Sequence, residues 1–217
     1  MLELFFVLCF GLLAYRSAHI SETELSRVSQ RISERMGRLW QIAHQGMKEN
    51  RFLRAEKALL TILKIDQKNA AAYNRLGILY AKQKEYKDAI DCFEIASSID
   101  PSASSLHNLG LIYYETENYE KAAVAFEQAL KLEDTLAARH IAYAKVQEKL
   151  GNEKMMIQEL EKASELEPNP ETLGLLARAY KSSGMQSEAD VVNSKLAKLI
   201  MPAGKPRRVL RPRRVVI

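Results

Sequence analysis

The sequence predicts an all-α protein built from repeated pairs of helices, and three observations lead to that expectation. Its composition, 47% hydrophobic and 27% charged, is typical of a folded chain. Only nine glycines and six prolines interrupt 217 residues, and the strong helix formers Ala, Leu, Glu and Lys dominate from Arg35 to Leu199. The third observation is an internal repeat with a period of 33 or 34 residues.

The repeat is visible when Gly77 in YNRLGILY is aligned with Gly110 in LHNLGLIY. The same alignment then superimposes three further pairs: Ala89 with Ala122, Phe93 with Phe126, and Ala96 with Ala129. Extended along the chain, it defines five units, at residues 36–69, 70–102, 103–136, 137–169 and 170–203. Each unit is long enough for two antiparallel helices joined by a short turn.

The eighth position of every unit is small, which predicts close contact between the two helices of a unit. The residues are Ala43, Gly77, Gly110, Ala144 and Ala177. Their expected partners in the second helices are Ala55, Ala89, Ala122, Met156 and Ala189, of which four are also small. Short polar turns separate the helices, and Gly151 and Gly184 occupy equivalent places in two of them. Pro101 and Pro168 end second helices because proline cannot continue a helix.

From Met36 to about Met201 this pattern resembles a tetratricopeptide repeat array. The resemblance implies a right-handed α-solenoid of about five helix-turn-helix repeats. Unit one departs from the family pattern at Gly46, where Tyr is usual, and unit five at Asn193, where Phe is usual. The layout of an N-terminal anchor followed by repeats is also similar to bacterial lipopolysaccharide assembly protein B, without that family's C-terminal cysteine-pair zinc module.

The resemblance further implies that a protein or peptide ligand lies in a concave groove formed by the first helices. We expect this groove to include Trp40, His44, Asn74, Arg75, Ile78, His107, Asn108, Leu111, Ile141, Lys145 and Arg178. Asn side chains can hydrogen-bond a peptide backbone, cations can pair with a carboxylate, and Trp offers a flat apolar anchor. An ordinary half-exposed helix position also explains each of these residues. The Lys and Asn pattern of chaperone-binding relatives is not matched.

Residues 1–20 predict a membrane anchor. The run from Leu4 to Tyr15, LFFVLCFGLLAY, is apolar, and it approaches spanning length when Glu3, Arg16 and His19 reach the headgroups. Because arginines follow this run and no Lys or Arg precedes it, the N-terminus is expected outside and the repeat array in the cytoplasm. A cleaved signal peptide and a buried helix are the alternatives. Residues 21–35 predict a juxtamembrane helix capped at Ser21, which either continues into the first unit or bends at Gly37.

Positive charge is concentrated in residues 204–217, which are expected to form a disordered tail. The tail holds six cations and no acid: Lys205, Arg207, Arg208, Arg211, Arg213 and Arg214. The rest of the chain has 26 basic residues (32 minus six) against 27 acidic ones, so the body is nearly neutral. The tail is expected to be solvated, or to bind an anionic membrane surface, or to attract an acidic protein; nucleic acid is not expected as the main partner.

No catalytic or cofactor motif is present in the sequence. It lacks a Gly-rich phosphate loop, G-x-S-x-G, H-E-x-x-H and a cysteine pair. His44, His107 and His140 could approach one another on neighbouring helices, but histidines in separate repeats are more often polar groups of a groove than metal ligands. We therefore expect a scaffold that binds no cofactor and catalyses no reaction. The alternative is a homo-oligomer that self-associates through the last helix, near Leu196.

Overall fold

The computed structural model describes the backbone of residues 2–200 and the side chains of residues 24–200. Within this range every regular element is an α-helix, so the all-α prediction is confirmed. The helices are α1 (Leu2–Lys48), α2 (Phe52–Ile65), α3 (Ala70–Gln83), α4 (Tyr86–Ile99), α5 (Ala103–Glu115), α6 (Tyr119–Leu132), α7 (Ala137–Lys149), α8 (Glu153–Leu166), α9 (Pro170–Ser182) and α10 (Gln186–Ile200).

The helices belong to two compact units, one with α1 to α4 and the other with α5 to α10. In the first unit α1 packs on α2, α2 on α3, and α3 on α4. In the second unit each helix likewise packs on the next, and α5 also contacts α7. Odd-numbered helices are the first helices of the pairs, and even-numbered helices are the second.

Each first helix ends in the same hydrogen-bonded motif, which sets the reversal of the chain. One residue of every turn has a left-handed backbone with φ between 56° and 75°: Asn50, Lys84, Glu117, Gly151 and Gly184. The next N–H donates to the carbonyl oxygen five residues earlier at 2.8 or 2.9 Å: Arg51 to Gly46, Glu85 to Tyr80, Asn118 to Tyr113, Asn152 to Gln147, and Met185 to Tyr180. This is the Schellman arrangement, in which the carbonyls at a helix end are satisfied by the turn itself.

The small eighth positions let aromatic rings of the second helices approach the first helices. A Cβ added to Gly77 would lie 2.7 Å from the Phe93 ring, and one added to Gly110 would lie 2.9 Å from the Phe126 ring. The nearest atoms are therefore those of the Phe ring, one helical turn beyond the Ala that the sequence suggested. Close packing also accounts for glycine at position 46, because a Cβ on Gly46 would lie 3.0 Å from the backbone nitrogen of Ala55.

The predicted single-pass membrane localisation is wrong. Within the part of the chain that the structure describes, no helix combines the length and the apolar character needed to cross a membrane. That localisation placed the N-terminus outside and the array in the cytoplasm. The side chains of the predicted anchor, residues 1–20, lie outside the described residues.

The N-terminal segments predicted as separate helices form one continuous element. Helix α1 runs from Leu2 through Gly37 to Lys48, so Ser21 lies inside a helix and does not cap one. Of the two alternatives for this helix, the unbroken course into the first pair is the one found. The side chains of residues 1–23 lie outside the described residues.

Candidate functional site

Three adjoining cavities lie along the first helices of the second unit, and we call this side the first-helix surface. The α5–α7 cavity, of about 380 Å³, is lined by His107, Leu111, Tyr114, Glu115, Phe126, Ala138, Ile141, Ala142, Lys145, Glu167, Asn169, Glu171 and Thr172. The α7–α9 cavity, of about 510 Å³, has an apolar floor that includes Met156 and Leu160. The α9–α10 cavity, of about 760 Å³, is bordered by Asn193 and Leu196 of α10.

Five of the residues that the sequence suggested for a groove are brought together on this surface. His107, Leu111, Ile141 and Lys145 line the α5–α7 cavity, and Arg178 joins Ile141 and Lys145 at the α7–α9 cavity. Lys145 borders all three cavities, and both Lys145 and Arg178 are exposed. The surface therefore presents accessible cations above an apolar floor. Four exposed cations line its cavities: Lys145, Lys149, Arg178 and Lys181.

The other suggested groove residues lie elsewhere. In the first unit Trp40 and Ile78 are half-buried against the hydrophobic core, while His44 and Arg75 are exposed. The asparagines Asn74 and Asn108 are half-buried, on α3 and α5 respectively. The suggested anionic-surface residues Lys205, Arg207, Arg208, Arg211, Arg213 and Arg214 lie outside the described residues.

His107 is half-buried and packs edge-on against Phe126, with 5.4 Å between the ring centroids. Its Nδ1 atom is buried without a hydrogen-bond partner. Burial and the nearby Arg139 guanidinium both lower the pKa of His107, because each disfavours a second positive charge. The ring is therefore uncharged at neutral pH, and it contributes a polar but uncharged group to the cavity wall.

His140 forms a buried ion-pair contact that the sequence analysis did not identify. Its Nδ1 lies 2.6 Å from Oε2 of Glu159, and its Nε2 lies 2.8 Å from the carbonyl oxygen of Asp134. Since a carbonyl oxygen only accepts, Nε2 carries a proton, and Nδ1 and Glu159 share another. His140 and Glu159 are 3% and 4% exposed, while Lys162 adds a partly exposed ammonium 3.2 Å from Oε1 of Glu159. This contact belongs to the interior of the α7–α8 pair.

These contacts argue against the metal site considered from the sequence. Both ring nitrogens of His140 are engaged, which leaves neither available to a metal. Among the described residues, no group of three His, Cys, Asp or Glu side chains is placed to hold a metal ion. Burial raises the pKa of the Cys92 thiol to about 11, so this half-buried cysteine is protonated near neutral pH.

Several residues of the surface were missed because only three positions of each repeat were considered. Glu171 lies seven residues before Arg178, two helical turns away on the same face, and Tyr114 lies three residues after Leu111. Extending the helical spacing from the residues already chosen would have found both. The sequence also indicates the His140–Glu159 pair, because two polar residues stand where the preceding repeat has the apolar residues Leu106 and Ala125.

Two family models match the chain, one described as Tetratricopeptide repeat over residues 68–135 and one as Tetratricopeptide Repeats-Sensor over residues 118–200. The chain belongs to the tetratricopeptide repeat family. This confirms the resemblance drawn from the repeat period, and it assigns the helix pairs from residue 68 onward to a known repeat type. No curated protein sequence matches the chain significantly.

Solved structures of other tetratricopeptide repeat proteins share this fold. A crystal structure of MamA is 23% identical, with 72% of this chain and 93% of that chain covered and a TM-score of 0.67. A MamA fragment from Desulfovibrio magneticus RS-1 is 14% identical, with 76% and 94% covered and a TM-score of 0.68. YrrB, described as a TPR protein with an unusual peptide-binding site, is 19% identical, with 73% and 82% covered and a TM-score of 0.63.

Proposed function

We propose that this protein is a non-enzymatic scaffold that binds a peptide or protein segment on the first-helix surface of its second unit. The observation that carries the proposal is the set of three adjoining cavities that share Lys145. An apolar floor with a few polar groups at its rim is the arrangement that protein recognition sites favour. The peptide-binding site named for YrrB, a structure with the same fold, supports the same kind of ligand.

Each part of the surface has a chemical role in this proposal. Ile141 and Leu175 contact apolar side chains of the ligand, and burial of that area supplies most of the affinity. Lys145 and Arg178 pair with a carboxylate of the ligand, with Arg178 suited to two parallel hydrogen bonds. The ligand contacts predicted from the sequence at Trp40, His44, Asn74, Arg75, Ile78 and Asn108 stay predictions.

Comparative affinity capture tests this function. The variant Lys145→Ala/Arg178→Ala removes two of the four cations that line the surface, and Lys154→Ala/Lys195→Ala removes two exposed cations from second helices as a matched control. We expect specific partners to be lost from the groove variant and retained by the control, with both variants as helical as the wild type by circular dichroism. Identical partner lists for all three proteins would refute binding through this surface.

Self-association through α10 is a second candidate, and one observation favours it. Val191, Leu199 and Ile200 at the end of the second unit are 58%, 53% and 61% exposed, so the last helix has apolar side chains that a second copy could cover. Leu196 packs against the core, so a charge there would disturb the fold as well as the surface. The variant Leu199→Asp is the cleaner test. In sedimentation equilibrium the wild-type chain should form dimers and this variant should stay monomeric. A monomer at all concentrations would exclude this candidate.

A further inference from the structure

The α5–α7 cavity carries more negative than positive charge. Glu115, Glu167 and Glu171 line it, together with a single cation, Lys145. His107 in the same wall adds no charge at neutral pH, because burial lowers its pKa. Among residues 24–200, none of the three glutamates has an ion-pair partner. The cavity therefore has an excess of two negative charges that a ligand could neutralise.

The same cavity has an apolar wall next to these carboxylates. Leu111, which is 38% exposed, Tyr114, Ile141 and Phe126 all line it. A complementary ligand combines cations with short aliphatic side chains at neighbouring positions. This requirement is specific, because a purely basic ligand would leave the apolar wall in contact with water.

A segment with this composition follows α10 in the same chain. Residues 205–214 read KPRRVLRPRR, in which Val209 and Leu210 stand between two groups of arginines and no acid occurs. Residues 101–200 contain 15 Asp and Glu against 11 Lys and Arg, a net charge of −4, whereas the segment carries +6. The two parts of the chain are thus complementary in charge.

The position of α10 places the start of this segment near the cavity. Leu196 borders the α9–α10 cavity together with Lys145 and Glu171, and both of these residues also line the α5–α7 cavity. Helix α10 ends at Ile200, four residues after Leu196, which corresponds to about 6 Å along the helix. Residues 201–204 join α10 to the segment, and residues 201–214 reach at most roughly 46 Å when extended. Such a short tether gives a local concentration on the order of millimolar.

We propose that residues 205–214 of the chain occupy its own α5–α7 cavity. The arginines pair with Glu115, Glu167 and Glu171, and Val209 and Leu210 contact Leu111 and Ile141. The inference rests on the proposed function, since the segment then competes with an external ligand for part of the first-helix surface. The protein accordingly binds its partner more weakly than the surface alone allows.

Zero-length carbodiimide cross-linking of the full chain locates the segment, because Lys205 is its only side-chain amine. At low protein concentration we expect amide bonds from Lys205 to Glu115, Glu167 or Glu171, identified by mass spectrometry in the monomer. The yield should fall at least tenfold when Arg207, Arg208, Arg211, Arg213 and Arg214 are replaced by Gln. Equal cross-linking to Glu120, Glu153 and Glu165 on the second helices, or products found only in dimers, would overturn the proposal.

A binding measurement tests occupancy independently. The probe is a fluorescein-labelled peptide of residues 202–217, titrated by anisotropy against the wild-type chain and against the chain with its five tail arginines replaced by Gln. We expect the tail-neutral chain to bind the probe at least tenfold more tightly, because its cavity is empty. Adding Glu115→Gln/Glu167→Gln/Glu171→Gln should abolish that binding, and Glu120→Gln/Glu153→Gln/Glu165→Gln should preserve it.

Equal affinity of the wild-type and tail-neutral chains for the probe would refute occupancy by the tail. So would an affinity that is unchanged when Glu115, Glu167 and Glu171 are replaced by Gln. Neither result depends on the capture of an external partner. The tail inference can therefore fail while groove binding stands. Conversely, identical partner lists in the capture experiment would refute the proposed function and leave the cross-link pattern as a separate result.

Discussion

The α5–α6 and α7–α8 pairs have the same backbone arrangement but different interiors. In the α5–α6 pair, Leu106 and Ala125 are both buried, and the Phe126 ring fills the space beside Gly110. The α7–α8 pair holds His140 and Glu159 at the positions equivalent to Leu106 and Ala125. It also has Ala144 and Leu160 where the first has Gly110 and Phe126.

The comparison shows what the repeat requires. The size of one residue matches the size of its counterpart on the other helix: Gly77 and Gly110 lie against Phe rings, while Ala144 and Leu160 hold the equivalent positions of the next pair and share one core. Polarity is not conserved, provided that each buried polar group finds a partner, as His140 does on both ring nitrogens. The turn after the first helix is common to both pairs, with Glu117 and Gly151 in the left-handed conformation.

The largest expected effect comes from breaking the buried ion-pair contact. Glu159→Ala leaves Nδ1 of His140 without a partner while Nε2 keeps the Asp134 carbonyl, and removal of one member of a buried pair costs about 3–5 kcal/mol. The double variant His140→Leu/Glu159→Ala, which recreates the residues of the α5–α6 pair, should recover most of that loss. Urea denaturation followed by circular dichroism measures both. A double variant as unstable as the single one would show that the two interiors are not interchangeable.

A substitution at the contact between Gly110 and Phe126 should have the next largest effect on the free energy of unfolding. Gly110→Ala places a Cβ 2.9 Å from the Phe126 ring, and we expect a net loss of about 1–2 kcal/mol after the gain in helix propensity. In a Phe126→Leu background, which copies Ala144 and Leu160, the same change should cost less. A double-mutant cycle by urea denaturation gives this coupling energy.

Gly174→Ala is the control for that cycle. Nothing lies within 4 Å of a Cβ added to Gly174, so this change should stabilise the fold by up to about 1 kcal/mol. If Gly110→Ala cost as much in the Phe126→Leu background as in the wild type, the aromatic ring would not be the reason for the glycine.

Helix starts differ between α7 and α9, and this difference should have an effect of about 1 kcal/mol. Asn169 caps α9 through a hydrogen bond of 2.9 Å from the Thr172 N–H, and the Thr172 hydroxyl accepts from the Asn169 N–H. Helix α7 follows Leu136, which makes no side-chain cap. Asn169→Ala should destabilise by about 1 kcal/mol, and Leu136→Asn should stabilise by a similar or smaller amount. Thermal denaturation of the two variants measures the opposite shifts.

The smallest expected effect is the pH dependence contributed by His107. Its pKa is lower in the folded state than the usual unfolded value of about 6.5, so the unfolded chain binds more protons. This contribution to stability is complete above about pH 6.5 and declines as the pH falls toward the folded pKa. In His107→Gln, the free energy of unfolding should depend less on pH between about 7.5 and 5.5 than in the wild type. His44→Gln, at an exposed position, is the control and should retain the wild-type slope.

The sequence by itself determined the repeat, its period and the helix pairs, because small and large apolar residues recur at fixed helical spacing from Ala43 to Ala189. It also supplied five residues of the first-helix surface, since residues at the same repeat positions face the same side. The single-pass localisation predicted from the N-terminus is wrong, since no described helix is long and apolar enough to cross a membrane.

Only the tertiary structure decided which polar residues are buried and which are accessible. His107 and His140 both sit near the start of a first helix, yet one edges a cavity and the other is enclosed with Glu159, 19 residues away. Contacts between helices fix such differences, and no local periodicity encodes them. The same reason explains the gathering of Glu115, Glu167 and Glu171, which come from different segments and meet only when the second unit folds.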